Sequence, residues 1–301
     1  MNHEILNNPK KKHHIIRNIF ICILIFILYV IADSNLGFIK ISKYTVTSTN
    51  LPAAFNGVKI LVLSDLHSRE FGKDSKYLIK KINDAKPDYI VTTGDMMSSW
   101  DQNADVFLLL LDKLDNKYPL YFIYGNHEIA NEYAYGEGST FADELEIRGV
   151  TVLNNEKIVL VRDNEKINIY GLNQPLWAYS AAKTEHTPKF SKLEIVKRIG
   201  TANLDEFNIL LAHTPTKLDA YSEWGADLVL SGHMHGGMIQ VPFIGGLLSP
   251  EVELFPKYDK GYFISNETHM ILSAGLGNGV FPLRILNKPE LCLVTLKVKN
   301  N

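Results

Sequence analysis

The chain has 301 residues, 46% of them hydrophobic and 21% charged, which is enough apolar material for a sizeable core and too little charge for a disordered chain. Its formal net charge is −2, and only Glu4 opposes Lys10, Lys11, Lys12 and Arg17 at the N-terminus, so the rest of the chain is acidic. An acidic body argues against a sheath built on phosphate contacts, and no nucleic-acid partner is expected.

The stretch KKKHHIIRN leads into IFICILIFILYVIA, an uninterrupted apolar run from Ile19 to Ala32. A basic flank followed by an apolar run is the layout of a signal sequence. The run is shorter than the roughly 20 residues a bilayer span needs, but Ile15, Ile16, Leu36 and Phe38 extend it. A buried core helix fits less well, since no polar face interrupts the run. VIADSN offers no clear small-x-small cleavage site, so the segment reads as an uncleaved signal anchor, with a cleaved and secreted form as the alternative. Basic residues ahead of the run place the N-terminus in the cytoplasm and the body on the extracytoplasmic side of the cell membrane. The expected division is a basic flank over 1–17, a single-pass transmembrane helix over 18–38, a linker and first strand over 39–55, and one domain over 56–301.

KISKYTVTST (40–49) alternates and is β-branched, as a strand should be. Short apolar runs that end in polar and glycine residues then recur: VKILVLSDLH (58–67), PDYIVTTGD (87–95), YPLYFIYGNHE (118–128), EFNILLAHTP (206–215) and ADLVLSGHMH (226–235). Amphipathic stretches precede several of them, among them SKYLIKKINDA, ADVFLLLLDKLDN and SKLEIVKRIG. Strands alternating with helices predict an α/β architecture with buried strands. Residues 149–172 read as short strands with turns at Asn154-Asn155 and Asp163-Asn164, and the tail after Gly261 is again strand-rich. The two cysteines, Cys22 in the apolar run and Cys292 in a late strand, support neither a disulfide nor a redox compartment.

Ligands of α/β sheets bind beyond the carboxyl ends of the strands. Five such ends carry Asp65 and His67, then Asp95, then Asn126 and His127, then His213, then His233 and His235. Five of the chain's ten histidines sit there, whereas chance would scatter them. Each motif alone is weak, but together they indicate a metal centre. The absence of a thiolate disfavours a closed structural zinc site, and imidazole with carboxylate suits Mn²⁺, Fe or Zn²⁺. Seven ligands exceed one ion's needs and suit two divalent ions sharing a carboxylate.

The set Asp65-Leu-His67, Gly94-Asp95, Gly125-Asn-His-Glu128, His213 and Gly232-His-Met-His235 resembles the calcineurin-like metallophosphoesterases in order and spacing. SDLHSREFG, GHMHGG followed by VPFIGG, and SAGLGNGVFPLRILNKPEL further resemble a bacterial, membrane-associated, YkuE-like branch. That branch continues the last histidine motif as Gly-Gly-Gln, whereas here Met238 stands in that place and Gln240 follows two residues later. The resemblance implies a four-layer α/β/β/α sandwich: two mixed β-sheets flanked by helices, with the metals at its edge. It further implies one ion on Asp65, His67, Asp95 and His235, and a second on Asp95, Asn126, His213 and His233.

The implied activity is hydrolysis of a phosphate mono- or diester by a hydroxide bridging the ions, with lipid-linked phosphates among the candidate substrates. His127 is expected to be the catalytic residue that protonates the leaving oxygen. Glu128 reads either as an orienter of His127 or as a surface carboxylate, and Arg284 either as a phosphate ligand or as a surface arginine. The rival functions are a metal-dependent amide or lactam hydrolase and a non-catalytic metal-binding scaffold on the same fold.

Overall fold

Alternating burial along the strands decides the architecture. In β2 (Lys59–Leu63), Leu61 and Leu63 pack into one apolar cluster while Ile60 and Val62 pack into another. A strand apolar on both faces must be covered on both. The computed structural model describes residues 9–35, 38–98, 100, 103–135, 140–179, 189–279 and 284–299.

After an N-terminal helix, α1 (Pro9–Asn35), come β1 (Lys40–Ser48), β2, α2 (Lys76–Ala85), β3 (Tyr89–Thr92), α3 (Asp105–Leu114), β4 (Leu120–Phe122), α4 (Asn126–Tyr135), α5 (Thr140–Ile147) and β5 (Thr151–Val152). The chain continues through β6 (Lys157–Arg162), β7 (Glu165–Leu172), α6 (Lys192–Ile199), β8 (Asn208–Ala212), α7 (Leu218–Trp224) and β9 (Leu228–Ser231). A small hairpin of β10 (Gln240–Val241) and β11 (Gly245–Gly246) precedes β12 (Gly261–Ser265), β13 (Thr268–Leu272) and β14 (Glu290–Val298).

Two six-stranded sheets form, ordered β1-β14-β2-β3-β4-β5 and β12-β13-β9-β8-β7-β6. Both are mixed: β2, β3, β4 and β5 run parallel in the first, with β14 antiparallel to β2, while β7, β8, β9 and β13 run parallel in the second. Between the sheets lies a core of Ile60, Val62, Val91, Ile123, Ile169, Ile209, Leu211, Leu230 and Ile271. Leu78 and Ile82 of α2 and Phe107, Leu110 and Leu111 of α3 cover the outer face of the first sheet. Ile195 of α6 and Leu218, Tyr221 and Trp224 of α7 cover that of the second. The four-layer sandwich implied by the resemblance is the observed fold.

Residues 40–48 form the strand read from their alternation, and β1 pairs in parallel with β14 along its whole length, from Lys40 opposite Glu290 to Ser48 opposite Val298. The apolar run belongs to a longer helix, whose 21-residue window Lys12–Ala32 has a mean hydropathy of 2.7 and is not buried. At 1.5 Å per residue that window spans about 30 Å, the thickness of a bilayer core. A signal sequence meets the same criterion.

Candidate metal centre

Because β2, β3 and β4 are parallel neighbours, their carboxyl ends bring Asp65, Asp95 and Asn126 to one edge of the first sheet. The carboxyl ends of β8 and β9 bring His213, His233 and His235 to the facing edge of the second. Six of the seven expected ligands, together with His127, form three overlapping groups: Asp65, His67 and His235; His67, Asp95 and His127; Asp95, His213 and His233. His67 links the first two groups and Asp95 the last two.

The backbone at these positions is unusual. Asp65, His67, Asp95, His233 and His235 have φ of 50°, 46°, 57°, 72° and 49°, in the left-handed region that costs a non-glycine residue about 1–3 kcal/mol. Such strain persists where surrounding structure enforces it, and here cross-loop bonds do so. Asp65 N–H donates to Gly94 O (3.0 Å) and His67 N–H to Asp95 O (3.1 Å). Gly94, at φ +94°, lies so close to Gly125 that any side chain would collide with its backbone.

The donor chemistry fits divalent cations. Asn126 Oδ1 and His213 Nε2 are buried without a hydrogen-bond partner, which a polar group tolerates poorly unless something else satisfies it. His213 Nδ1 donates to Thr93 O at 2.5 Å, and its Nε2 faces Asp95 Oδ2, 3.0 Å away. Burial alone would lower the His213 pKa, but Asp95, Asp65 and the bond to Thr93 outweigh it and lift the pKa to about 9. The place held by that proton is one a cation can take. His67 Nε2 and His235 Nε2 lie 3.1 Å apart. Burial lowers His67 to about 3 despite Asp95, and burial with His67 and Arg284 holds His235 well below the usual histidine range, so both rings are neutral and able to ligate. Burial would raise Asp95, but His213, His127 and His67 hold it well below the usual carboxylate range.

Three supporting residues differ from the sequence-based expectation. Glu128 is neither on the surface nor an orienter of the His127 ring: its buried carboxylate accepts from the backbone N–H groups of Asp95 (2.8 Å), Met96 (2.7 Å), Met97 (3.1 Å) and Gly125 (2.8 Å). It thereby fastens two ligand loops together. Arg284 is 1% exposed and donates to Ala274 O (2.9 Å) and Gly277 O, with His235 Nδ1 at 3.5 Å. Burial and Arg69 pull its guanidinium down to about 10, so it stays charged at neutral pH. Glu251, which no motif marked, lies with Oε1 3.2 Å from His233 Nε2, a contact that fixes the ring and leaves its Nδ1 free for another partner.

Gln240 gives its amide to Gly236 O (2.6 Å) and Asp259 Oδ2 (2.9 Å), fastening the β10–β11 hairpin. Met238 is buried in the turn. His186, expected to be solvated, lies outside the described residues. His269, also expected to be solvated, is half-buried, with its Nδ1 2.5 Å from the Tyr262 hydroxyl.

The family model for calcineurin-like phosphoesterases matches residues 58–237, the span that holds the seven candidate ligands. The chain belongs to that family. It is 33% identical over 267 residues to the uncharacterized metallophosphoesterase YkuE of Bacillus subtilis, a match covering 87% of each chain. It is 25% identical over 278 residues to that organism's YkoQ, covering 90% of this chain and 96% of the relative. The phosphodiesterase YaeI of Escherichia coli is 29% identical over 248 residues, covering 79% of this chain and 82% of YaeI. This calcineurin-like phosphoesterase of the YkuE-like branch is a metal-dependent phosphoric ester hydrolase that uses two divalent metal ions.

Proposed function

We propose that the chain is a membrane-anchored phosphodiesterase acting on the extracytoplasmic side, with lipid-linked phosphodiesters as its substrate class. One divalent ion would be held by Asp65, His67, Asp95 and His235, and the other by Asp95, Asn126, His213 and His233. The observation that carries this reading is the pair of buried atoms without a hydrogen-bond partner, Asn126 Oδ1 and His213 Nε2, beside Asp95, which two of the candidate ligand groups share. When bound, the ions supply Lewis acidity toward the phosphoryl oxygens and lower the pKa of water.

The protein's own part is orientation and proton transfer. Asp95 Oδ1 accepts the His127 backbone N–H at 2.9 Å, and the His127 ring stands edge-on to His67 with centroids 4.6 Å apart. His127 is half-exposed at the rim, so its imidazole can meet a leaving alkoxide and donate a proton to it. The anchor reading rests on the exposed apolar window of α1 and on the basic residues before it.

The test is hydrolysis by the full-length chain in detergent with Mn²⁺, comparing bis-p-nitrophenyl phosphate, p-nitrophenyl phosphate and a phospholipid. Asp95→Asn is expected to lower turnover about a thousandfold, the several kcal/mol that a cation contributes. His127→Ala is expected to cost about a hundredfold on the phospholipid and far less on nitrophenyl esters, whose leaving group needs no proton. Full activity of Asp95→Asn would overturn the reading. Recovery of the uncleaved chain from the soluble fraction would overturn the anchor.

A further inference from the structure

The connection from α1 enters the fold at the edge that holds the metal centre. β14 runs antiparallel to β2, with Cys292 opposite Val62, so its amino end, Glu290, lies at the carboxyl end of β2. Lys40 opens β1 opposite Glu290, with its N–H on Pro289 O, while Glu290 N–H reaches Gly275 O and Leu276 N–H reaches Ser64 O. Lys40 therefore sits beside the strand end that supplies Asp65. Only residues 36–39 separate it from the last residue of α1, at most about 18 Å of extended chain. A helix seated in a bilayer would hold this edge, rather than the opposite one, against the lipid.

Two turns on the same side carry apolar side chains that cover nothing. Phe243 at the tip of the β10–β11 hairpin is fully exposed and Ile244 is 66% exposed. The next turn exposes Val252 (78%), Leu254 (66%) and Phe255 (54%). Phe255 N–H donates to Leu247 O at 2.9 Å and Leu248 bridges to Leu254, so the two turns form one unit. Glu251, between them in sequence, reaches His233, which places that unit beside the metal centre. Turns facing water favour small polar residues, and five large apolar side chains gathered on two turns mark an interaction surface. Phe38 in the connecting segment is exposed as well, and exposed Lys257 follows the second turn, as basic residues do at a headgroup boundary.

We propose that the turns at 241–244 and 252–255 insert into the same lipid surface that anchors α1, so that the metal centre meets phosphate esters at headgroup level. This rests on α1 being an anchor, and the test separates the two ideas. Full-length C22S protein, in which buried Cys292 is the remaining cysteine, would carry F243C labelled with bimane in vesicles of phosphatidylcholine and phosphatidylglycerol doped with doxyl lipid. Ile147, exposed at the end of α5 ahead of β5, lies at the opposite edge and serves as the control through I147C.

The label at 243 is expected to be quenched and the label at 147 not. Protein that fails to float with the vesicles overturns the anchor, whereas floating protein with an unquenched label at 243 overturns the insertion alone. F243S/I244S is expected to keep the wild-type rate on bis-p-nitrophenyl phosphate while its rate on vesicle phospholipid falls about tenfold or more. Equal losses on both substrates would overturn the proposal. So would an unquenched label in a chain that dimerises through these turns, since the surface would then be a protein interface.

Discussion

The two sheets hold their share of the metal centre in different ways. On the first sheet, the loops bearing Asp65, Asp95 and Asn126 are tied to one another by backbone bonds and by Glu128, which lies inside one of the ligand motifs. On the second, His233 and His235 depend on side chains from distant parts of the chain, one before them and three after. Asp65 accepts the His233 N–H (3.0 Å), Glu251 receives its ring, and Asn287 donates to His235 O (2.7 Å) while Arg284 stands beside its ring. The carboxylate half is thus tied mainly through its own loops, with Leu276 and Gly277 N–H adding bonds to Ser64 O and Asp65 O, and the imidazole half is assembled mostly from distant side chains. Damage to the first half should loosen the fold as well as the metals, and damage to the second should act mainly on metal affinity.

The largest effect is expected for Glu128→Ala. It leaves four buried backbone N–H groups unpaired at about 1–3 kcal/mol each, some of which rearrangement and water recover. A fall in melting temperature of about 10 °C is expected by circular dichroism, with both metals weakened together. An unchanged melting temperature would show that the two loops do not depend on this carboxylate.

Arg284→Met comes next. It removes the fork on Ala274 O and Gly277 O, and the ion beside His235 should bind about 10–100-fold more weakly, as read by isothermal titration. Its melting temperature should move less than that of Glu128→Ala. The smallest effect is expected at Glu251. Glu251→Ala should weaken the ion on His233 by about tenfold, and Glu251→Gln, whose amide oxygen still accepts from Nε2, should restore most of that loss. Equal weakening by both would mean that charge, rather than ring orientation, is what Glu251 contributes.

The same asymmetry decided what could be read from the sequence. Strands buried on both faces leave continuous apolar runs whose ends carry the seven candidate positions, so the α/β architecture and those positions are legible in the residues, whereas the four-layer sandwich follows from the family resemblance. The role of Glu128 is not visible from its neighbour His127, but a carboxylate in the first turn of a helix faces unpaired N–H groups. That was a usable signal, and so were the apolar neighbours of Arg284 in FPLRIL, which point to burial. Glu251 gave no local sign, since its partner lies 18 residues away across a loop. The pairing of β1 with β14 was equally hidden, because parallel strands far apart in sequence share no turn.

The central claim is that the two halves close on two cations that share Asp95. Titrating the metal-free full-length chain with Mn²⁺ and counting bound metal tests it directly. Two equivalents per chain are predicted for the wild type and fewer than two for Asp95→Asn at the same free Mn²⁺. A single equivalent in the wild type, or two bound with unchanged affinity in Asp95→Asn, would contradict it.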